Sequence, residues 1–272
     1  MLTERQFDTG AVTLNFVEGS AGSAPLVLVH GLSYRWQSWL PVMPTLALRW
    51  QLYALDLRGF GRSARAPGAY RAVDYAQDVV AFLRGVVGRP AAVVAHSLGA
   101  VVAVAVATDA PELVRALVLE EPPLGIFGEE SVRGRREYEA YRRQRDLALG
   151  SPSLDEAVTQ LGQLMPGADP VEIRSRAVAL LQRDPETVTF FLEDRAKEGL
   201  ELDRRLGRIA CPVLLLQGNA ALGSALDDER AGRAAELLRD CTRVSIPNAG
   251  HFIHRAVPAD FARLVADFLE TV

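Results

Sequence analysis

Ala95-His96-Ser97-Leu98-Gly99 lies between an apolar run, Ala91-Ala92-Val93-Val94, and a longer apolar stretch at 100–107. A short buried strand, a serine among small residues and an apolar helix predict a strand–turn–helix with a very tight turn. Such a turn holds Ser97 in a strained backbone conformation, its hydroxyl aimed away from the sheet. The positions two before and two after the serine must be small, because a larger side chain would meet the neighbouring strand or helix. Ala95 and Gly99 meet that need. Taken alone, this pentapeptide also suits an ordinary strand-to-helix turn, so its surroundings decide.

Three further pieces surround it. Leu26-Val27-Leu28-Val29-His30-Gly31-Leu32 reads as a buried strand ending in His-Gly. Asp56-Leu57-Arg58-Gly59-Phe60-Gly61-Arg62-Ser63 follows an apolar strand at 52–55. Ile246-Pro247-Asn248-Ala249-Gly250-His251-Phe252 puts a late histidine in a glycine-containing loop after another strand. With all four in this order, the chain resembles the α/β-hydrolase superfamily over nearly its whole length. The resemblance implies a mostly parallel eight-stranded sheet with helices on both faces and a helical cap inserted after strand six.

The wider pattern agrees with that architecture. Apolar runs at 12–17, 25–29, 51–55, 91–95 and 116–119 read as strands, with helices at 75–87 and 100–107 between them. Alternation of this kind implies parallel pairing. From 122 to about 208 no β-like run occurs. A densely charged stretch at 129–149, with Tyr138, Tyr141 and Leu147 on one face, is followed by helical spacing at 154–164, 170–181 and 185–197. Proline opens the last two, as suits a first helical turn. The β/α pattern resumes with strands at 212–217 and 242–246 and helices at 229–238 and 258–269. The expected division is a core of residues 1–122 and 209–272 around a cap of 123–208.

Composition narrows the function. The 272 residues are 49% hydrophobic, enough for a large core, and the net charge of −4 gives no reason to expect a nucleic acid or an acidic membrane as partner. No run of 18 apolar residues exists and the N-terminus carries no basic-then-apolar leader, so the expectation is a cytoplasmic protein. Cys211 and Cys241 read as two reduced thiols of the core. Nothing in the sequence sets an oligomeric state.

A serine hydroxyl needs a base to accept its proton during attack. Among four histidines, His30 belongs to the His-Gly turn and should brace that loop. His96 should point to the opposite side of the nucleophile turn, and His254 suits a surface or cap contact. His251 remains as base, since catalytic groups collect at strand C-terminal ends in open α/β sheets. The base needs a carboxylate to fix its tautomer. The resemblance places an aspartate shortly after the seventh strand, yet that position holds Ala221, with Asp227 and Asp228 further on. Those two also suit N-terminal charges on the next helix. Haloalkane dehalogenases and zearalenone lactone hydrolases instead take their acid from the end of strand six. Glu121, in Leu119-Glu120-Glu121-Pro122, aligns with it, so the expected acid is Glu121, with Asp227 or Asp228 as the alternative.

The resemblance also implies an oxyanion hole from the backbone N–H groups of Leu32 and Leu98. Among the aromatics of the His-Gly turn (Tyr34, Trp36, Trp39) and the insertion (Phe127, Phe190, Phe191), some must be core. Gly31, Trp36, Phe127 and Phe191 are the candidates for contacting substrate. The expected function is hydrolysis of a small apolar carboxylic ester or lactone through an acyl-enzyme, without metal or organic cofactor. A C–C bond hydrolase or lyase using the same residues, and a non-enzymatic small-molecule receptor, are the alternatives. Dehalogenase and epoxide hydrolase chemistry is disfavoured, because the resemblance requires an aspartate where Ser97 stands.

Overall fold

In β3 (Ala24–Val29), Leu26 and Leu28 enter the apolar cluster on one side of the sheet, and Val27 and Val29 enter the cluster on the other. In β5 (Ala91–His96), Ala92 and Val94 face the first side, and Val93 and Ala95 the second. A strand covered on both faces must be apolar at every position, which is why these runs show no alternation in the sequence. The computed structural model describes residues 2–19, 22–128, 130–133 and 136–272.

The remaining strands are β1 (Leu2–Asp8), β2 (Thr13–Gly19), β4 (Trp50–Leu55), β6 (Val114–Glu120), β7 (Val213–Gly218) and β8 (Cys241–Ile246). They join β3 and β5 in one sheet of order β1-β2-β4-β3-β5-β6-β7-β8. β2 pairs antiparallel with β1 and with β4, and every other pairing is parallel. The fold is thus the expected mostly parallel eight-stranded sheet between helices. Helices Ala72–Phe82 and Leu98–Asp109 cover one face, and Pro258–Thr271 and the turns around Trp39 and Met43 cover the other. The Leu98–Asp109 helix is buried from Leu98 to Thr108 and has no polar side, as fits a helix enclosed all round.

Three elements depart from the sequence reading. β1 lies along the sheet edge with six of its seven residues exposed, so it leaves no apolar run to find. The helix expected at 75–87 ends at Phe82 and continues as a wider turn, Leu83–Val87, closed by Gly88 at φ 69°. The helix expected at 185–197 ends at Leu192, where Asp194 at φ 61° separates it from a short turn, Arg195–Lys197.

Between β6 and β7 the chain is helical: Arg136–Leu149, Leu154–Leu164, Pro170–Leu181 and Pro185–Leu192 are its main pieces. Of the charged stretch expected at 129–149, Glu129, Gly134 and Arg135 lie outside the described residues. Side chains close the helix starts. Ser153 accepts from the Glu156 N–H, Asp169 from Val171 and Asp184 from Glu186, leaving fewer end donors unpaired. Ala157, Leu161, Ala177 and Leu180 form a small core of their own. Cys211 and Cys241 are free thiols. Among the described residues no helix is long and apolar enough to cross a membrane.

Candidate active site

Ser97 sits between the end of β5 and the first turn of its helix at φ 53° and ψ −118°, a conformation L-residues rarely hold. Two glycines allow the close approach around it. A Cβ on Gly99 would stand 2.5 Å from the Val29 carbonyl oxygen and 2.6 Å from that of His30, both backbone atoms. A Cβ on Gly31 would stand 2.8 Å from His96 Nδ1 and 3.0 Å from the Ser97 Cβ. The end of β3 is therefore pressed against the serine turn, and the Ser97 N–H donates to the Glu120 carbonyl at 2.9 Å.

Ser97 Oγ lies 3.0 Å from His251 Nε2, and His251 Nδ1 lies 3.2 Å from Glu121 Oε2. Glu121 is wholly buried and follows β6 at φ 51°, a second strained non-glycine position at the same site. The loop after β7 encloses its carboxylate. Oε1 accepts from the Gly218 N–H at 2.6 Å and from the Ser224 hydroxyl at 2.8 Å. Oε2 accepts from the Ala225 N–H at 2.6 Å and lies 2.9 Å from the same hydroxyl. A buried carboxylate is tolerable only when donors surround it in this way.

The two aspartates of that loop are engaged elsewhere. Asp227 caps the Asp228–Leu237 helix through the Arg230 N–H and pairs with the Arg230 guanidinium. Asp228 Oδ1 meets Arg243 at 2.6 Å and Gln217 at 3.1 Å. The structure thus brings Glu121 to His251 and leaves Asp227 and Asp228 on the helix end.

The other histidines form a buried scaffold. His30 accepts the Leu57 N–H at Nε2 (3.0 Å), so its Nδ1–H donates to the Gly31 carbonyl at 2.8 Å. His96 Nε2 donates to the His251 carbonyl at 2.8 Å. His254 is not the surface contact its position suggests: it is fully buried, because a second strand-six carboxylate, Glu120, receives it. Glu120 Oε1 accepts the His254 backbone N–H at 2.9 Å, and Oε2 lies 2.7 Å from Nδ1. Burial pushes His96 and His254 well below the usual imidazole range and raises the Glu120 carboxyl to about 7. Burial also lowers His30, with nearby Asp56 opposing it.

A cavity of about 400 Å³ opens over Ser97 and His251. Leu32 and Leu98 line it, and Leu98, as first residue of its helix, has no intrahelical carbonyl for its N–H. Neither the Leu98 nor the Leu32 N–H has an acceptor among the described residues. Phe127 and Phe191 stand in the wall with Ile126 and Tyr141. Gly31 is packed against the serine. Of the expected substrate contacts, Gly31 does not line the cavity, and neither does Trp36. The Trp36 N–H bonds Asp56 at 2.8 Å, its indole reaches toward Glu4, and its ring packs on the core behind the sheet, away from the cavity. Tyr141 shows in the sequence only as part of the face it shares with Tyr138 and Leu147, and Arg176 and the donors around Glu121 carry no local signal. A larger groove of about 650 Å³ runs past Arg204, Arg230 and Arg233. Among the described residues it holds no nucleophile–base pair, and these three arginines pair with Glu201, Glu130 and Asp203.

Comparison with known proteins follows the same lines. The model of the alpha/beta hydrolase family matches residues 26–264. A fluoroacetate dehalogenase of a Burkholderia species is 30% identical over 285 residues, covering 97% of this chain and 93% of its own. The 2-hydroxy-6-oxo-6-(2'-aminophenyl)hexa-2,4-dienoic acid hydrolase of Metapseudomonas resinovorans is 26% identical, covering 98% and 90%. The crystal structure of E-2-(acetamidomethylene)succinate hydrolase superposes with a TM-score of 0.80 at 23% identity, covering 99% of this chain and all of that one.

Proposed function

The chain belongs to the alpha/beta hydrolase family, and from that premise we propose that it is a serine hydrolase cleaving a small carboxylic ester or lactone. The observation that carries this reading is the hydrogen-bonded line from Ser97 through His251 to Glu121 at the base of a largely apolar cavity.

In this mechanism His251 Nε2 accepts the Ser97 proton as Oγ attacks the carbonyl carbon. Glu121 holds the Nδ1–H tautomer and stabilises the imidazolium that forms. The carbonyl oxygen becomes an oxyanion facing the N–H groups of Leu32 and Leu98. One such donor is worth about 100- to 1000-fold in rate. His251 returns the proton to the leaving alkoxide as the carbon–oxygen bond breaks, leaving an acyl-Ser97. Water, deprotonated by His251, then releases the acid and restores the serine. Residues 123–208 act as the cap, with Phe127, Phe191 and Tyr141 shaping the acyl and alcohol sites. Halide displacement as in the dehalogenase does not carry over, because a serine stands at the nucleophile position.

A second reading, hydrolysis of a carbon–carbon bond beside a ketone by the same residues, is favoured by the similarity to the dienoic acid hydrolase. The test is steady-state hydrolysis of aryl esters, lactones and a vinylogous diketone by wild type, Ser97→Ala, Glu121→Ala and the double variant Asp227→Ala/Asp228→Ala. Ester or lactone turnover lost in the first two variants and kept in the third supports the proposal. Turnover of the diketone alone favours the second reading.

A further inference from the structure

Arg183 follows the Pro170–Leu181 helix and is only 2% exposed. Its Nη1 makes one long contact, 3.4 Å to the Leu32 carbonyl, and its Nε and Nη2 have no hydrogen-bond partner among the described residues. The other buried arginine among the described residues shows the usual arrangement: Arg58 is held by both oxygens of Asp78, at 2.5 and 2.7 Å. No carboxylate does this for Arg183 among the described residues. The phenol of Tyr75, also buried and without a partner, lies within reach of its charge. A buried guanidinium left uncompensated is unfavourable, so its retention beside a ligand cavity calls for a partner that arrives from outside.

The cavity wall next to Arg183 points to the same kind of partner. Arg176 lines the cavity, its guanidinium 5.0 Å from the Tyr34 ring and 5.1 Å from the Phe252 ring. Its Nε donates to Glu172 at 2.7 Å, but Glu172 also takes Arg255 and the Tyr34 hydroxyl. One carboxylate therefore faces two guanidiniums. Burial pushes the Tyr141 phenol up, and the positive charges of Arg176 and Arg183 oppose that rise. Ser33, Tyr141 and Arg176 all line the cavity that contains Ser97.

We propose that the Ser97 cavity contains an anion subsite formed by Arg176, Tyr141 and Ser33 and backed by Arg183, and that the substrate carries a free carboxylate bound there. This rests on the serine hydrolase reading and gives it a substrate class. The carboxylate sits in the field of both arginines and accepts from the Tyr141 phenol. Leu32 couples the subsite to the chemistry, because its carbonyl holds Arg183 and its N–H faces the reacting oxygen. Anion binding thereby orients the ester carbonyl over Ser97.

The test compares kcat/KM for monomethyl succinate, which bears a carboxylate, with that for dimethyl succinate, which does not. It uses wild type, Arg183→Met, Arg183→Lys and Arg176→Gln, with calorimetric titration of succinate into Ser97→Ala and Ser97→Ala/Arg183→Met. The proposal expects wild type to prefer the half-ester. It expects Arg183→Met, which removes the charge, to cut that preference on the order of 100-fold, and Arg183→Lys to restore part of it. It also expects succinate to bind Ser97→Ala and to bind far more weakly once Arg183 is replaced. Equal rates for both esters with no succinate binding overturn it. So does a fall in thermal stability of Arg183→Met with the ester preference intact, which makes Arg183 a structural residue. Succinate binding without turnover of either ester upholds the subsite and removes the ester hydrolase reading instead.

Discussion

The Ser224 hydroxyl touches both oxygens of the Glu121 carboxylate, at 2.8 and 2.9 Å. The β7 loop, which supplies the acid in the pattern that the sequence departs from, here supplies donors to an acid on β6. Replacing Glu121 by Gln leaves a side chain of the same size but offers an N–H where His251 needs an acceptor. It is expected to lower kcat by about 10⁴-fold on any substrate the enzyme turns over. Ser224→Ala leaves the Gly218 and Ala225 N–H groups in place and should cost roughly 10- to 100-fold, or about 1.5–3 kcal/mol, as for one hydrogen bond to a charged group. Steady-state kinetics on the two variants check the order; a Ser224→Ala loss as deep as that of Glu121→Gln contradicts it.

Gly99→Ala tests the close approach of β3 and the nucleophile helix. The added Cβ meets two backbone carbonyls, at 2.5 and 2.6 Å, and neither can move without shifting Ser97 or the β3 end. A drop in kcat/KM of roughly 10-fold or more, together with a lower melting temperature, is expected. An unchanged rate would show that the turn accommodates a side chain.

Arg58 and Asp78 pin the loop after β4 to the Ala72–Phe82 helix, with 6% and 2% of their side chains exposed. Asp78→Asn leaves the guanidinium buried and short of its charge partner, at a cost of about 3–5 kcal/mol in urea unfolding. Exchanging both residues for apolar ones of similar volume should cost less than the single substitution.

Stability should fall as the solution is acidified below the ordinary histidine range. His30, His96 and His254 are held neutral by burial, so their folded values lie below the unfolded value of 6.5. The unfolded chain then binds more protons than the folded one, and stability present above pH 6.5 is lost as pH drops. Glu120 acts in the opposite sense, because burial lifts it to about 7 and the folded state binds its proton first. Three groups outweigh one. Each net proton is worth roughly 1.4 kcal/mol per pH unit, so the urea midpoint should decline steadily between about pH 6.5 and 5. His96→Asn, which removes one of the three, should make that decline shallower.

The strands of the central sheet are legible because burial on both faces demands continuous apolar runs, as in Val27–Val29 and Ala92–Val94. The helices at 154–164 and 170–181 are legible because their caps and prolines are local. Ser97 stands out through the small residues its turn requires. Glu121 needs the family resemblance, since its strand end alone reads equally well as a solvated loop start. What stays hidden depends on contacts between distant segments. Nothing in Leu222-Gly223-Ser224-Ala225 announces that it wraps a carboxylate 103 residues before Ser224. Trp36 reads as a pocket aromatic because its turn faces the site, whereas its ring packs behind the sheet. His254 reads as exposed because its partner, Glu120, lies on a distant strand.

The most direct test of the central claim is covalent trapping with a fluorophosphonate, followed by peptide mapping of wild type and His251→Ala. One adduct is expected, on Ser97, formed rapidly in wild type and orders of magnitude more slowly without His251. An adduct on another residue, or equal labelling rates in the two proteins, would contradict it.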